Sequence, residues 1–455
     1  MTQIFVLNSA YGLMTAAAAL DAGLLPAPTG PRILLAVNAA RVPETSTGID
    51  ESAHLHGLLG RFDRVESLNA LVAPAPPVQW SPAADDLPTL ERLLRRAWGA
   101  GDGPVELYLQ SPQVPPSRTL AMLFPGAPIT IIGDGLMTYS PIRDRMPAAL
   151  TGRIREVAYA DVLPGVEPLL FAETGARRLP VPLERFRSIV EEVAATADDP
   201  ELDALAASAA PTVLILGQYL ADLGLVSSAE ESAMQEEMVD RALAWSPRRI
   251  VFKPHPSAAP SIAAAVVERA RRHGVEIEVY DGDVPAEIVA ARLRTVGVVA
   301  GFSTALPTVH ALFGTPIASA GNELLLRRLR PYENGNRIPV TIVDALTRDD
   351  TPYASPTRLQ HLIETVGYAM QPRIAAHLRP RAEAFLADLA PAERAHYVPE
   401  RRLTELGLPG GRPPGPVARL LARGGVAGRL EELRLTFRGA GRRAARAWRA
   451  LEGRR

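Results

Sequence analysis

The chain has 455 residues, 47% of them hydrophobic and 22% charged, enough for two or three domains around a sizeable core. It contains no cysteine, which excludes disulfide scaffolds, thiolate nucleophiles and cysteine-based zinc or iron–sulfur sites. The formal net charge of −1 excludes a polycation, yet the balance is uneven: residues 401–455 carry a net +10 and the first 400 residues −11.

The opening run Gln3–Leu7 has no basic stretch ahead of it and a polar Asn8-Ser9 directly behind it, a poor pattern for a secretion signal. No stretch of about 20 apolar residues occurs, so no membrane-spanning helix is expected and the expected location is cytoplasmic. Further short apolar runs follow at Arg32–Val37, Val105–Leu109 and Ile129–Ile132. A second series comprises Thr212–Leu216, Arg249–Phe252, Val275–Val279 and Thr295–Ala300. Most are continuous rather than alternating, as buried parallel strands require. Helical stretches lie between them, among them Tyr11–Ala22, Leu87–Trp98, Ala229–Trp245 and Pro260–His273. The alternation predicts an α/β protein with two Rossmann-like domains, residues 1–205 and 211–345, facing a central cleft. The break between the two series carries Pro180 and Pro182 and helical segments near Leu183–Ala194 and Leu202–Ala209. Beyond come helices over 346–405, a Pro/Gly linker at 408–416 and a basic tail at 417–455. On that tail Leu430, Leu433, Phe437, Trp448 and Leu451 share one helical face, with arginines largely off it. Such a pattern suits an anionic membrane surface or a solvated tail. Aromatic interleaving is limited to Phe437 and Trp448, so nucleic acid is not an expected partner.

An open α/β sheet presents its chemistry at the carboxyl ends of its strands. There stand Asn8-Ser9, Gly133-Asp134-Gly135, Gln218, Lys253-Pro254-His255-Pro256 and Gly301-Phe302-Ser303-Thr304. Asp134, between two glycines, suits a general base, though an Asx turn uses the same residue type. His255 sits between prolines on a stiff segment, two residues from Lys253, the one lysine in the chain. A cation pair at a strand end suits a phosphate. Ser303-Thr304 precedes the helical run Ala305–Phe313; Ser303 is placed to cap it, and a helix start favours an anion. Neither a G-x-G-x-x-G after the first strand nor a P-loop nor an H-E-x-x-H occurs. His54 and His56 read as a surface helix feature, and Asp281-Gly282-Asp283 as a turn; no metal is expected.

Taken together and in this order, the acidic-Gly, His-Pro and Ser/Thr motifs resemble those of bacterial sialyltransferases. More narrowly, the sequence resembles the bacterial α-2,8-polysialyltransferase family of capsule biosynthesis. Gln3–Ser9, Gly133–Pro141, Lys253–Pro256 and Gly301–Ala305 carry the likeness, which covers roughly residues 1–345. The resemblance implies a GT-B architecture, the acceptor on the first domain and the donor, CMP-sialic acid, on the second. It implies an inverting transfer to a glycan acceptor with no cofactor. Asp134 then removes the acceptor proton, and His255 hydrogen-bonds or, as an imidazolium, protonates the departing phosphate. Ser303 and Thr304 form the phosphate site. Pro256 belongs to the His-Pro motif on the donor side; Lys253 and Gln218 are added there from position alone, and Asn8 on the acceptor side. Many members have two acidic residues before the glycine; here the first is Gly133. The Lys-Pro-His-Pro segment also resembles capsular Kdo transferases and CDP-glycerol polymerases. A 2-epimerase of this fold would need further carboxylates in the cleft, and a non-catalytic glycan-binding protein would keep the fold without turnover.

Overall fold

The computed structural model describes residues 1–40, 47–255, 258 and 263–412. Two parallel sheets dominate the compact unit Met1–Phe385. The first is built from β1 (Thr2–Leu7), β2 (Arg32–Ala36), β3 (Arg64–Ser67), β4 (Val105–Leu109), β5 (Ile129–Ile132), β6 (Ile154–Ala160) and β7 (Arg177–Val181). Their order across the sheet is β3-β2-β1-β4-β5-β6-β7. The second contains β8 (Thr212–Leu216), β9 (Arg249–Lys253), β10 (Glu276–Val279), β11 (Gly297–Ala300) and β12 (Ile317–Ser319), in the order β10-β9-β8-β11-β12. Every pairing is parallel. Both are doubly wound sheets of Rossmann type, and together they make the GT-B architecture.

The central strands are buried from end to end, which explains their unbroken apolar runs. In the first sheet Phe5 of β1 stacks on Tyr108 of β4, with ring centroids 4.0 Å apart. The expected strands are all present, within two residues at either end. Four others carry no continuous apolar run. β3, β7 and β12 are edge strands, half exposed and short, and β7 even holds Pro180, which an edge tolerates because its missing N–H has no ladder partner to lose. β6 begins Ile-Arg-Glu before turning apolar.

A second compact unit begins at Leu386; its described part includes helices Pro391–Tyr397 and Glu400–Leu406. Residues 413–455, and with them the tail and the last four residues of the linker, lie outside the described residues. Among the described residues no helix is long and apolar enough to cross a membrane.

Candidate active site

In each sheet the winding direction reverses between two adjacent parallel strands, and a crevice opens at their carboxyl ends. In the first sheet these strands are β1 and β4; in the second, β8 and β11. Asn8-Ser9 leaves β1 and Gln110 leaves β4. Gln110 is 2% exposed. Its Oε1 accepts the Asn8 N–H at 2.7 Å, and its Nε2 donates to Ser9 Oγ at 3.0 Å. Ser9 Oγ also accepts from Gly12 N, capping the helix Ala10–Asp21, and donates to Asp134 Oδ1 at 3.0 Å. Asn8 itself is exposed and joins this network through its backbone, so the side chain that meets Asp134 is that of Ser9.

Asp134 leaves β5, one strand beyond the crevice. Burial raises its pKa above the ordinary carboxylate value, and the Ser9 hydrogen bond opposes that rise by favouring the charged form. The flanking glycines are required by space. A Cβ at Gly133 would stand 2.8 Å from Thr138 Oγ1 and 3.1 Å from the Ala158 carbonyl. In this packing no side chain fits at position 133 without moving Thr138 or the Ala158 carbonyl. Gly135 has φ +52°, and a Cβ on it would lie 2.4 Å from the Thr304 side chain. That close approach joins the two sheets' carboxyl edges: Leu136 N donates to Thr304 Oγ1 at 3.2 Å. A second link lies nearby, where the Tyr11 and Thr308 hydroxyls are 3.3 Å apart.

The second crevice is closed in a similar way. Gln218, leaving β8, accepts the Phe302 N–H at 3.2 Å across from β11. Ser303 Oγ accepts from Ala305 N at 3.2 Å, and the Ser303 carbonyl takes the Leu306 N–H. The helix Ala305–Phe313 therefore starts one residue later than a Ser303 cap implies, with Thr304 in the cap position. Its first N–H groups are already bonded, so the hydroxyls and the positive helix end remain to receive an anion. His255 leaves β9 with its ring centroid 4.3 Å from that of Tyr219. Burial, reinforced by the Lys253 charge, lowers its pKa to about 4. With no phosphate beside it, the imidazole is therefore neutral near pH 7. Pro256 lies outside the described residues.

Lys253 is 7% exposed and donates to the Gly282 carbonyl. Its ammonium stands 4.8 Å over the Tyr280 ring. Burial lowers its pKa to about 8 against the pull of Asp283, Asp199, Asp281 and Glu201. Its surroundings are thus acidic side chains rather than an open anion site. His54, expected on the surface, is instead buried, bonded to Ser52 Oγ at 2.7 Å and 3.8 Å from Asp283. Residues 53–55 form a single 3-10 turn that points His54 and Leu55 inward, while His56 stays exposed as expected. Among the described residues no three His, Asp or Glu side chains gather as a metal site.

Reasoning from strand ends missed Glu287, which is 7% exposed in the first turn of helix Ala286–Leu293. Burial raises its pKa, and the Asp134 charge adds to the rise. It is a further carboxyl in the neighbourhood of Asp134. Its acidic residue in an otherwise apolar helix start was the one available signal.

A family model for alpha-2,8-polysialyltransferases matches residues 3–321. The chain belongs to that family. It is a glycosyltransferase, and its class of reaction implies a nucleotide-sugar donor and a glycan acceptor. No curated protein matches it. Among solved structures it is similar to a glycosyltransferase from Rickettsia africae ESF-5, at 9% identity and TM-score 0.36, over 85% of this chain and 99% of that one. It is similar to MurG of Acinetobacter baumannii at 11% identity and TM-score 0.37, over 84% and 94%. UDP-GlcNAc 2-epimerase from Methanocaldococcus jannaschii matches at 8% identity and TM-score 0.38, over 70% and 83%. All three scores are low, and the fold assignment rests on the two sheets themselves.

Proposed function

We propose that this glycosyltransferase moves sialic acid from CMP-sialic acid to the hydroxyl of a glycan, with inversion, in the synthesis of a surface polysaccharide. The observation that carries the reading is the junction of the two carboxyl edges at Gly135 and Thr304, which sets a buried carboxyl beside the loop that opens a helix on the donor side.

Asp134 takes the proton of the acceptor hydroxyl as that oxygen bonds to the anomeric carbon. The bond from that carbon to the phosphate oxygen breaks, and CMP leaves with the electron pair. A carboxyl with a raised pKa holds the transferred proton more readily than an ordinary one, which suits a base in a dry site. His255, neutral in the free protein, donates one N–H to the departing phosphate. A phosphate bound beside it favours protonation, so the ring is able to pick up a proton as the donor binds. The Ser303 and Thr304 hydroxyls and the positive end of their helix offset the charge that builds on CMP. Gln218 holds the Phe302 backbone, and Lys253 fixes the segment that carries His255. Asn8, on the first crevice, faces the acceptor. The arginine-rich residues 417–455 bring the enzyme to an anionic membrane surface.

The test is a donor screen on the purified protein with CMP-sialic acid, CMP-Kdo and CDP-glycerol, reading released nucleotide in the presence of sialylated acceptor. Turnover with CMP-sialic acid is expected. Turnover with CDP-glycerol or CMP-Kdo alone would overturn the donor assignment.

A further inference from the structure

A buried carboxylate acts as a base only when its lone pair is aimed, and among the described residues Asp134 has one hydroxyl within bonding distance that aims it: Ser9. Ser9 Oγ has two lone pairs and one proton. The Gly12 N–H and the Gln110 amide, each 3.0 Å away, are both donors and fill the lone pairs. The single proton is left with Asp134 Oδ1 as its acceptor. Gln110 is fixed in turn, because its Oε1 holds the Asn8 N–H at 2.7 Å; flipping the amide would set two donors against each other. Helix Ala10–Asp21 makes room for this. Glycine inside a helix is unfavourable relative to alanine, yet position 12 is glycine, and a Cβ there would lie 2.0 Å from Gln110 Nε2.

We propose that Ser9 is the positioning residue of the general base, with its hydroxyl oriented by Gln110 over Gly12. The inference rests on the reading of Asp134 as that base. The chain Gln110–Ser9–Asp134 runs from the crevice of the first sheet to the reacting carboxylate, with Gln110 donating to Ser9 and Ser9 donating to Asp134. It does two things. It holds the carboxylate in one rotamer, and it keeps the ionised form accessible despite burial.

The test is the pH profile of kcat/KM for full-length protein with CMP-sialic acid. Activity requires ionised Asp134, so it falls as pH drops through the pKa of that group. Losing a hydrogen bond to the charged form raises the pKa, and Ser9→Ala therefore moves the acid limb to higher pH, by about one unit. Ser9→Thr keeps the hydroxyl and leaves the limb in place. Gln110→Met preserves volume, frees the Ser9 hydroxyl to rotate, and moves the limb the same way by less. It also serves where Ser9→Ala, which removes a helix cap, fails to fold. Asp134→Asn separates the two claims. If Asp134→Asn retains wild-type turnover, the base assignment falls and Ser9 falls with it. If Asp134→Asn is inactive while Ser9→Ala and Gln110→Met leave the limb unmoved, the base stands and the positioning role is overturned.

Discussion

The two crevices invite comparison because each is spanned by a glutamine lying over a glycine. Gln110 bridges from β4 to the residues after β1, and Gln218 bridges from β8 to the residues after β11. A Cβ at Gly12 would strike Gln110 at 2.0 Å, and one at Gly301 would strike Gln218 at 2.2 Å. The chemistry they support differs. Gln110 is buried and uses both ends of its amide, one of them on a hydroxyl that touches Asp134. Gln218 is half-buried and holds a backbone N–H just ahead of Ser303. The first crevice thus sets the direction of the Ser9 hydroxyl toward Asp134, the proposed base. The second sets the path of a loop suited to an anion.

The largest expected effect comes from parting the two halves where they meet. Gly135→Ala introduces a side chain at φ +52° and 2.4 Å from Thr304. Left-handed strain on an L residue costs about 1–3 kcal/mol. The clash displaces Thr304 from Leu136 N as well. A drop in kcat of about 100-fold is expected, together with a lower Tm; unchanged kcat would show that the Gly135–Thr304 junction does not align the site.

His255→Gln tests the opposite response of the two edges to burial. Burial pushes Asp134 up and His255 down, so both groups are pressed toward their neutral forms. For Asp134, the part of stability linked to its raised pKa is present at low pH and lost as pH rises through the carboxylate range. For His255, folding disfavours the proton, so stability is lost as pH falls from the ordinary value of 6.5 towards about 4. The wild type should therefore lose more Tm than His255→Gln over that window, and kcat of the variant should fall about 10²-fold by loss of the leaving-group donor. Parallel Tm profiles would mean that burial does not hold this imidazole neutral.

Gly12→Ala and Gly301→Ala sharpen the contrast between the glutamines. Gly12→Ala is expected to lower kcat about tenfold at constant KM for the donor, since it disturbs the alignment of the base. Gly301→Ala is expected to raise the donor KM by a similar factor, since it moves the loop ahead of Ser303. Steady-state kinetics with varied CMP-sialic acid separate the two; identical patterns would erase the distinction.

How far the sequence announced all this follows from what sequence patterns encode. The buried strands and the residues just past them were legible, because burial on both faces leaves continuous apolar runs and parallel sheets put function at their ends. Edge strands were not, since β3, β7 and β12 bury too little to need such runs. Asp134 and Thr304 were found as separate motifs, but their junction depends on two loops 168 residues apart meeting at Gly135. Ser9 was passed over for Asn8 because an amide at a strand end draws attention, whereas a serine there reads as an ordinary helix cap. Its second partner is visible only when β1, β4 and β5 lie side by side. Glu287 escaped for a similar reason: it belongs to a helix start, and only the packing shows that it is buried near Asp134.

The smallest effect expected is that of Tyr11→Phe, which removes the second link between the halves and nothing else. The Tyr11 and Thr308 hydroxyls are 3.3 Å apart, at the long end for an O–H···O bond. Thr308 Oγ1 also donates to the Thr304 carbonyl at 2.8 Å, so losing Tyr11 leaves no orphaned hydroxyl. The ring of Tyr11, packed 5.2 Å from that of Phe186, is kept by phenylalanine. A neutral hydrogen bond of this kind contributes about 1 kcal/mol or less. Tm should fall slightly and kcat by no more than about threefold. A loss as large as that of Gly135→Ala would instead make Tyr11, rather than the Gly135–Thr304 contact, the joint on which the site depends.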